Sequence, residues 1–201
     1  MQNSGKWLLG IAACILVIMF FIYNHLVNVD ENVNSAWSEV QNQLKRRNDL
    51  IPNLVNTVQG YASHERGVFE EVTKARAKVS QAVKIDVSEL ANNPVLQKQL
   101  LDAQQNLNSA LGRLIAVAEN YPNLKSSENF LQLQNELAGT ENRIAVARGR
   151  AINNTRDFNK SIRIFPSNIF AGFFGFTAKK YYEAPENEQK VPTVDFQRKK
   201  G

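Results

Sequence analysis

The chain has 201 residues, with 24 Lys and Arg against 19 Asp and Glu, a formal net charge of +5, 2 His and 1 Cys. A lone Cys excludes an intrachain disulfide, and together with two separated His it leaves no ordinary soft-ligand cage, so no metal or cofactor is expected. The positive excess is mild and gathers only at Lys45-Arg46-Arg47 and Arg198-Lys199-Lys200. Neither cluster interleaves with aromatic residues as a nucleic-acid groove would, so nucleic acid is not an expected partner.

The first element is apolar. Trp7–Tyr23 (WLLGIAACILVIMFFIY) carries no charge, and Lys6 precedes it. Crossing a bilayer core of about 30 Å takes roughly 20 such residues. Leu26 and Val27 lengthen the run, so residues 7–27 are expected to form a transmembrane anchor after a short 1–6 segment. The run ends in Phe20, Phe21, Ile22 and Tyr23 without the small-residue cleavage site of a secretory signal. Ile11-Ala12-Ala13-Cys14 loosely resembles a lipoprotein cleavage box, but apolar residues continue past Cys14, which reads better as a small residue inside the span. After the span come Asp30, Glu31 and Glu39, and no Lys or Arg until Lys45. That asymmetry favours the amino terminus inside and the bulk of the chain outside, in periplasm or extracellular space.

From Val29 to about Thr155 apolar residues recur at helical spacing, and no strand alternation is visible. The first helix is expected to leave the membrane through Val33, Trp37, Val40 and Leu44 and to break at Asp49–Pro52, because Pro restrains the residue before it. A second helix follows with Leu54, Val58, Ala62, Phe69, Val72 and Val79, then a polar break over Asp86–Pro94. A third shows Leu100, Leu107, Leu111 and Leu114 and stops at Pro122. The fourth starts near Ser126 or Ser127, carries Phe130, Leu137, Ile144, Ala147, Ala151 and Phe158, and ends at Pro166. The expected fold is all-α: a transmembrane helix continuing into an up-down antiparallel four-helix bundle over residues 28–164, with coiled-coil-like packing. A break at Pro52 would set Asn24 level with Ala77, Leu101 and Ala147. Residues 78–85 would then overshoot into the bilayer, which predicts a bend or tilt near Asn24–Asn28.

Ordered blocks of the chain resemble the LemA family of bacterial membrane-anchored helical proteins. They include YNHLV at 23–27, AWSEVQNQLKRRNDLIPNLVNTVQGYASHE at 36–65, TKARA at 73–77, ALGRLIAVAENYPNLK at 110–125, NFLQLQNELAGTENRIAVAR at 129–148 and FPSNIFAGFFGF at 165–176. Where that family tends to carry Tyr-Asn pairs after Arg148, this chain has Ile152-Asn153 and Phe158-Asn159. The resemblance implies an N-terminal anchor, a four-helix bundle and no well-established catalytic activity.

The residues themselves argue the same way about chemistry. His64-Glu65 opens like the zinc-protease pattern H-E-x-x-H, but Val68 stands at the second His position. Glu70 and Glu71 are adjacent and diverge on a helix, so they form no acid–base pair. An enzyme is not expected. One polar residue stands inside an apolar stripe: Glu65, between Ala62 and Phe69. By the level count it meets Arg113 in a partly buried pair that fixes register, unless it leans to the boundary and is solvated.

The tail closes the reading. Residues 165–182 hold Phe165, Ile169, Phe170, Phe173, Phe174 and Phe176, followed by Lys179, Lys180, Tyr181 and Tyr182. Aromatic and basic residues mixed in this way suit a membrane interface. The segment lies on the bilayer, docks into another subunit or partner, or folds back over the bundle end. Residues 183–201 are polar and Pro-containing and are expected to be disordered. The leading functional expectation is a non-catalytic envelope scaffold that self-associates as a homo-oligomer or binds another envelope protein. The alternative is a lipid-directed protein that senses or shapes the bilayer through its Phe-rich segment.

Overall fold

The computed structural model describes residues 4–181, and among them every regular element is a helix. In chain order these are α1 Ser4–Gln59, α2 Arg66–Ala82, α3 Val87–Asn92, α4 Pro94–Glu119, α5 Pro122–Lys125, α6 Glu128–Ser161 and α7 Ser167–Phe173. The four long helices form an antiparallel bundle in which α6 packs along α1 and α4 along α2. The expected all-α architecture, with an apolar N-terminal helix running into a bundle, is the architecture found. Tyr182 and the 183–201 tail lie outside the described residues.

The first reversal is not where local rules put it. α1 passes through Pro52 and continues to Gln59. A proline inside a helix removes the N–H that would bond the carbonyl four residues back, here that of Asn48. Arg76 Nε, on α2, donates to this carbonyl at 3.0 Å instead. The Asn48 side chain also donates to Ser80 Oγ on α2 at 2.6 Å. A neighbouring helix thus supplies the bond that Pro52 withholds, and the helix does not end there. The chain turns over residues 60–65, where Gly60 and Ser63 favour helix only weakly. The amides of Tyr61 and Ala62 both donate back to the Val58 carbonyl across this turn.

The later turn re-registers the bundle. Arg47 on α1 meets Glu141 on α6, and Asn154 Nδ2 donates to the Asn32 carbonyl at 2.8 Å. Asn24 is therefore not level with Ala77 or Ala147; it lies beyond the end of α6. Gln41 Nε2 donates to the Ile85 carbonyl at 2.9 Å, so the chain after α2 stops well short of Asn24. The overshoot that called for a bend at Asn24–Asn28 does not arise, and α1 is helical through those residues.

The expected polar break at Asp86–Pro94 contains α3. Asp86 caps it by accepting from the amides of Ser88 and Glu89 at 2.9 and 3.2 Å. The Ser88 hydroxyl also donates to Asp86 Oδ1 at 2.6 Å, and this bond first, then the amides of Glu89 and Ser88, holds the Asp86 carboxyl below its ordinary range. Asn93 caps α4 in the same way, accepting from Val95 at 3.0 Å. Leu90 and Ala91 are buried against a cluster that includes Val33 and Trp37. Ser127 occupies the N-cap position of α6, but its side chain makes no capping bond.

The core has two parts. A lower cluster runs from Ile22 and Leu26 through Leu44, Leu100, Ile144 and Phe158. An upper cluster includes Ile51, Leu54, Val72, Leu107, Leu114 and Phe130. Between them lies a polar belt in which Arg47, Asn48, Gln104 and Thr140 are buried. Arg47 donates to both Glu141 and Asn108 there. Burial pulls the Arg47 guanidinium below its ordinary value, Glu141 opposes that fall, and nearby Arg148 adds to it.

Candidate functional site

The lower end of the bundle, where the apolar segment of α1 emerges, gathers most of the residues singled out from the sequence. α6 finishes at Ser161, and the chain then drops into α7. α7 ends in a complete left-handed cap. Gly175 has φ 78°, a conformation that side chains other than glycine adopt only with strain. Its amide bonds the Gly172 carbonyl at 3.3 Å, and the Phe176 amide reaches back to the Ala171 carbonyl at 2.9 Å. This turn sends the chain under the bundle.

The consequence is a segment, residues 164–176 around α7, with two apolar sides. The inner side carries Phe170, Ala171 and Phe176, all packed on the lower cluster. Tyr23 of α1 sits edge-on to Phe174 at 5.0 Å between ring centroids and 6.2 Å from Phe176. Phe176 also meets Phe158 of α6 at 6.3 Å. The outer side is bare: Phe173 is 77% exposed, Phe165 75%, Ile169 60% and Ile164 49%. The expectations of folding back and of facing outward thus apply to opposite sides of one segment.

Lys179 departs from the sequence reading. It was expected to contact membrane or partner, yet it is buried. Its Nζ lies 2.8 Å from Asp30 Oδ1 and 2.6 Å from Asn92 Oδ1, and 5.1 Å from the Phe158 ring centroid. Asn159 clamps its backbone, accepting from the Lys179 amide at 2.8 Å and donating to the Lys179 carbonyl at 2.7 Å. A buried ammonium needs this set of partners to offset lost hydration. One lysine thereby ties the segment to α1, α3 and α6. Lys180 and Tyr181 are exposed beside it; Tyr182 falls outside the described residues. Asp30, Asn92, Phe158 and Asn159 were not foreseen as its partners. The Phe158-Asn159 pair, which stands where the family tends to carry Tyr-Asn, serves here through a ring and an amide, with no hydroxyl.

The expected Glu65–Arg113 pair does not form. Arg113 Nε donates to Glu71 at 2.8 Å, and the two groups pair at the bundle surface. Glu65 precedes α2 as its N-cap residue, because the reversal lies over residues 60–65. Glu70 pairs separately with Lys74 at 3.8 Å. Among the described residues no group of three or more His, Cys, Asp and Glu could hold a metal ion. At the upper end an open groove of about 480 Å³ lies between α1 and α6, lined by Asn53, Asn56, Thr57, Asn129, Gln132 and Glu136 with Leu50 and Leu133.

The LemA family model matches residues 36–196. The chain belongs to the LemA family. Among curated relatives, the magnetosome protein MamQ of Magnetospirillum gryphiswaldense is 26% identical over 213 aligned residues, covering 96% of this chain and 78% of that protein. Magnetosome protein MamQ 2 of Paramagnetospirillum magneticum is 27% identical, covering 85% of this chain and 68% of its own length. Protein LemA of Metamycoplasma hominis is 28% identical, covering 81% and 68%. The N-terminal part of α1 is long and apolar enough to cross a membrane, and its apolar window is not buried by the bundle. With the family, this marks a LemA-like membrane protein.

Proposed function

We propose that the chain is a non-catalytic, membrane-anchored scaffold of the bacterial envelope, single-pass, with its amino terminus inside and its bundle outside the inner membrane. One observation carries the reading: span and bundle spine are a single helix, Ser4–Gln59. From Tyr23 to Gln59 that helix rises about 54 Å at 1.5 Å per residue. Such a post holds the polar groove between α1 and α6 far from the bilayer, where a second copy or another envelope protein can reach it. Amide-lined surfaces of this kind supply hydrogen-bonding area without reactive groups. The mild net charge is compatible with protein partners and gives no reason to invoke nucleic acid.

Photoreactive side chains at Asn56 and Gln132 in the full chain test this reading in native membranes. Discrete protein adducts, either a dimer of the chain or one defined partner, are the expected result. Adducts absent from both positions while the chain is intact and membrane-bound would refute it. A second reading, direct action on the bilayer, is favoured by the bare outer side of α7 beside the span.

A further inference from the structure

The length of the span and the place where α7 attaches to it do not agree with a bundle standing clear of the membrane. Trp7 to Tyr23 covers about 24 Å along a helix, whereas a bilayer hydrocarbon core is about 30 Å thick. With Lys6 held in one headgroup layer, the far edge of the core falls about 6 Å beyond Tyr23, close to Leu26 and Val27. Leu26 is fully buried inside the bundle, and Ile22 is nearly so. The residues that would complete the span are therefore already covered by the bundle's own base. α7 is part of that cover, since Phe174 packs on Tyr23 and Ala171 shares a cluster with Ile22.

We propose that the α7 segment is a second membrane contact: Ile164 and Phe165 in the turn before the helix, with Ile169 and Phe173 on its outer side, sit at the headgroup–acyl boundary of the leaflet from which the bundle emerges. Interfacial helices bury an apolar side about 5–10 Å into that boundary, which matches the shortfall of the span. Arg163 and Lys180 flank the segment and are exposed, placed to meet anionic headgroups. The Lys179 clasp sets the orientation. By fastening the returning chain to Asp30, Asn92 and Asn159, it keeps Phe170 and Phe176 turned to the bundle and the four bare side chains turned out.

This rests on the anchor reading, and one experiment separates the two. In the full chain carrying Cys14→Ser, single cysteines replace Phe20, Phe173 or Val146 and carry an environment-sensitive fluorophore. All three positions are exposed, so labelling does not disturb the core. The proteins are reconstituted in phosphatidylcholine–phosphatidylglycerol vesicles containing spin-labelled lipid. Probes at Phe20 and Phe173 are expected to be quenched severalfold more than the probe at Val146. A quenched Phe20 probe with Phe173 behaving like Val146 overturns the role of α7 alone. An unquenched Phe20 probe overturns the anchor and this inference together. Probes at Phe173 that quench one another and are shielded from both lipid and aqueous quenchers place a second copy there and also overturn it. Lys179→Met, which keeps an apolar stem and removes the ammonium, is expected to lower lipid quenching at Phe173 with helix content unchanged. Undiminished quenching in that variant overturns the orienting role of the clasp.

Discussion

The passage of α1 through Pro52 makes a prediction that can be worked through from one carbonyl. Asn48 is buried, and its carbonyl has lost the amide that a residue other than proline would provide at position 52. Arg76 Nε replaces it at 3.0 Å. Arg76→Met keeps much of the stem and leaves the carbonyl unsatisfied, a loss of about 1–3 kcal/mol. At roughly 2–4 °C per kcal/mol for a protein of this size, melting falls by about 2–12 °C. Pro52→Ala alone restores an intrahelical bond and removes a poor helix residue. That gain, up to about 3 kcal/mol, is reduced by about 0.4–1 kcal/mol because the unfolded chain becomes freer. In the Pro52→Ala background the Asn48 carbonyl no longer depends on Arg76, so Arg76→Met should cost much less. The coupling expected from the double-mutant cycle is about 1–2 kcal/mol. Thermal and urea unfolding of the full chain in detergent micelles, followed by far-UV circular dichroism, measures it. An Arg76→Met cost that is equal in both backgrounds would refute the reasoning.

The polar belt predicts an asymmetry. Glu141→Gln leaves the buried Arg47 charge without its carboxylate and should cost about 3 kcal/mol, whereas Arg47→Met frees a half-exposed Glu141 to rehydrate and should cost about 1 kcal/mol or less. Urea unfolding that ranks the two variants the other way contradicts the assignment of Arg47 as the desolvated partner. The α3 cap predicts acid sensitivity. Because the Asp86 carboxyl is held below its ordinary value of 3.8 in the folded chain, its stabilisation is complete above that value and disappears as pH falls through the lower folded value. Protection of the Ser88 and Glu89 amides, relative to their intrinsic exchange rates, should therefore fall locally in acid, and an Asp86→Ala variant should lack that step. Leu90 is fully buried where α3 meets α1; Leu90→Ala should cost about 2–5 kcal/mol, and a near-neutral melt would show that α3 is not docked.

Much of this architecture could be read from spacing, because helix stripes are a local property. Leu100, Leu107 and Leu114 on α4, and Ile144, Ala147, Ala151 and Phe158 on α6, are buried where the period put them. The misreadings share one cause, in that a distant residue overrode a local rule. Pro52 reads as a break until Arg76 is seen to replace its missing donor. The shifted reversal then moved every level, so Glu65 became a cap-position residue and Arg113 found Glu71. Lys179 looks like an interfacial lysine because Asp30, Asn92 and Asn159, which bury it, are all far away in sequence. Gly175 was the available signal. A glycine followed by Phe176 at the end of an apolar turn marks a left-handed cap and a reversal under the bundle. The two-sided character of α7 follows from that glycine.

The central claim is that membrane segment and bundle share one unbroken helix, and a distance across both tests it most directly. Spin labels at Phe20 and Asn56, in the full chain carrying Cys14→Ser and held in lipid nanodiscs, should give a single narrow distribution near 54 Å, the rise of a continuous helix between them. A distribution that is markedly shorter, or split into several distances, would mean that the helix breaks at Pro52 or below the bundle, and would contradict the account.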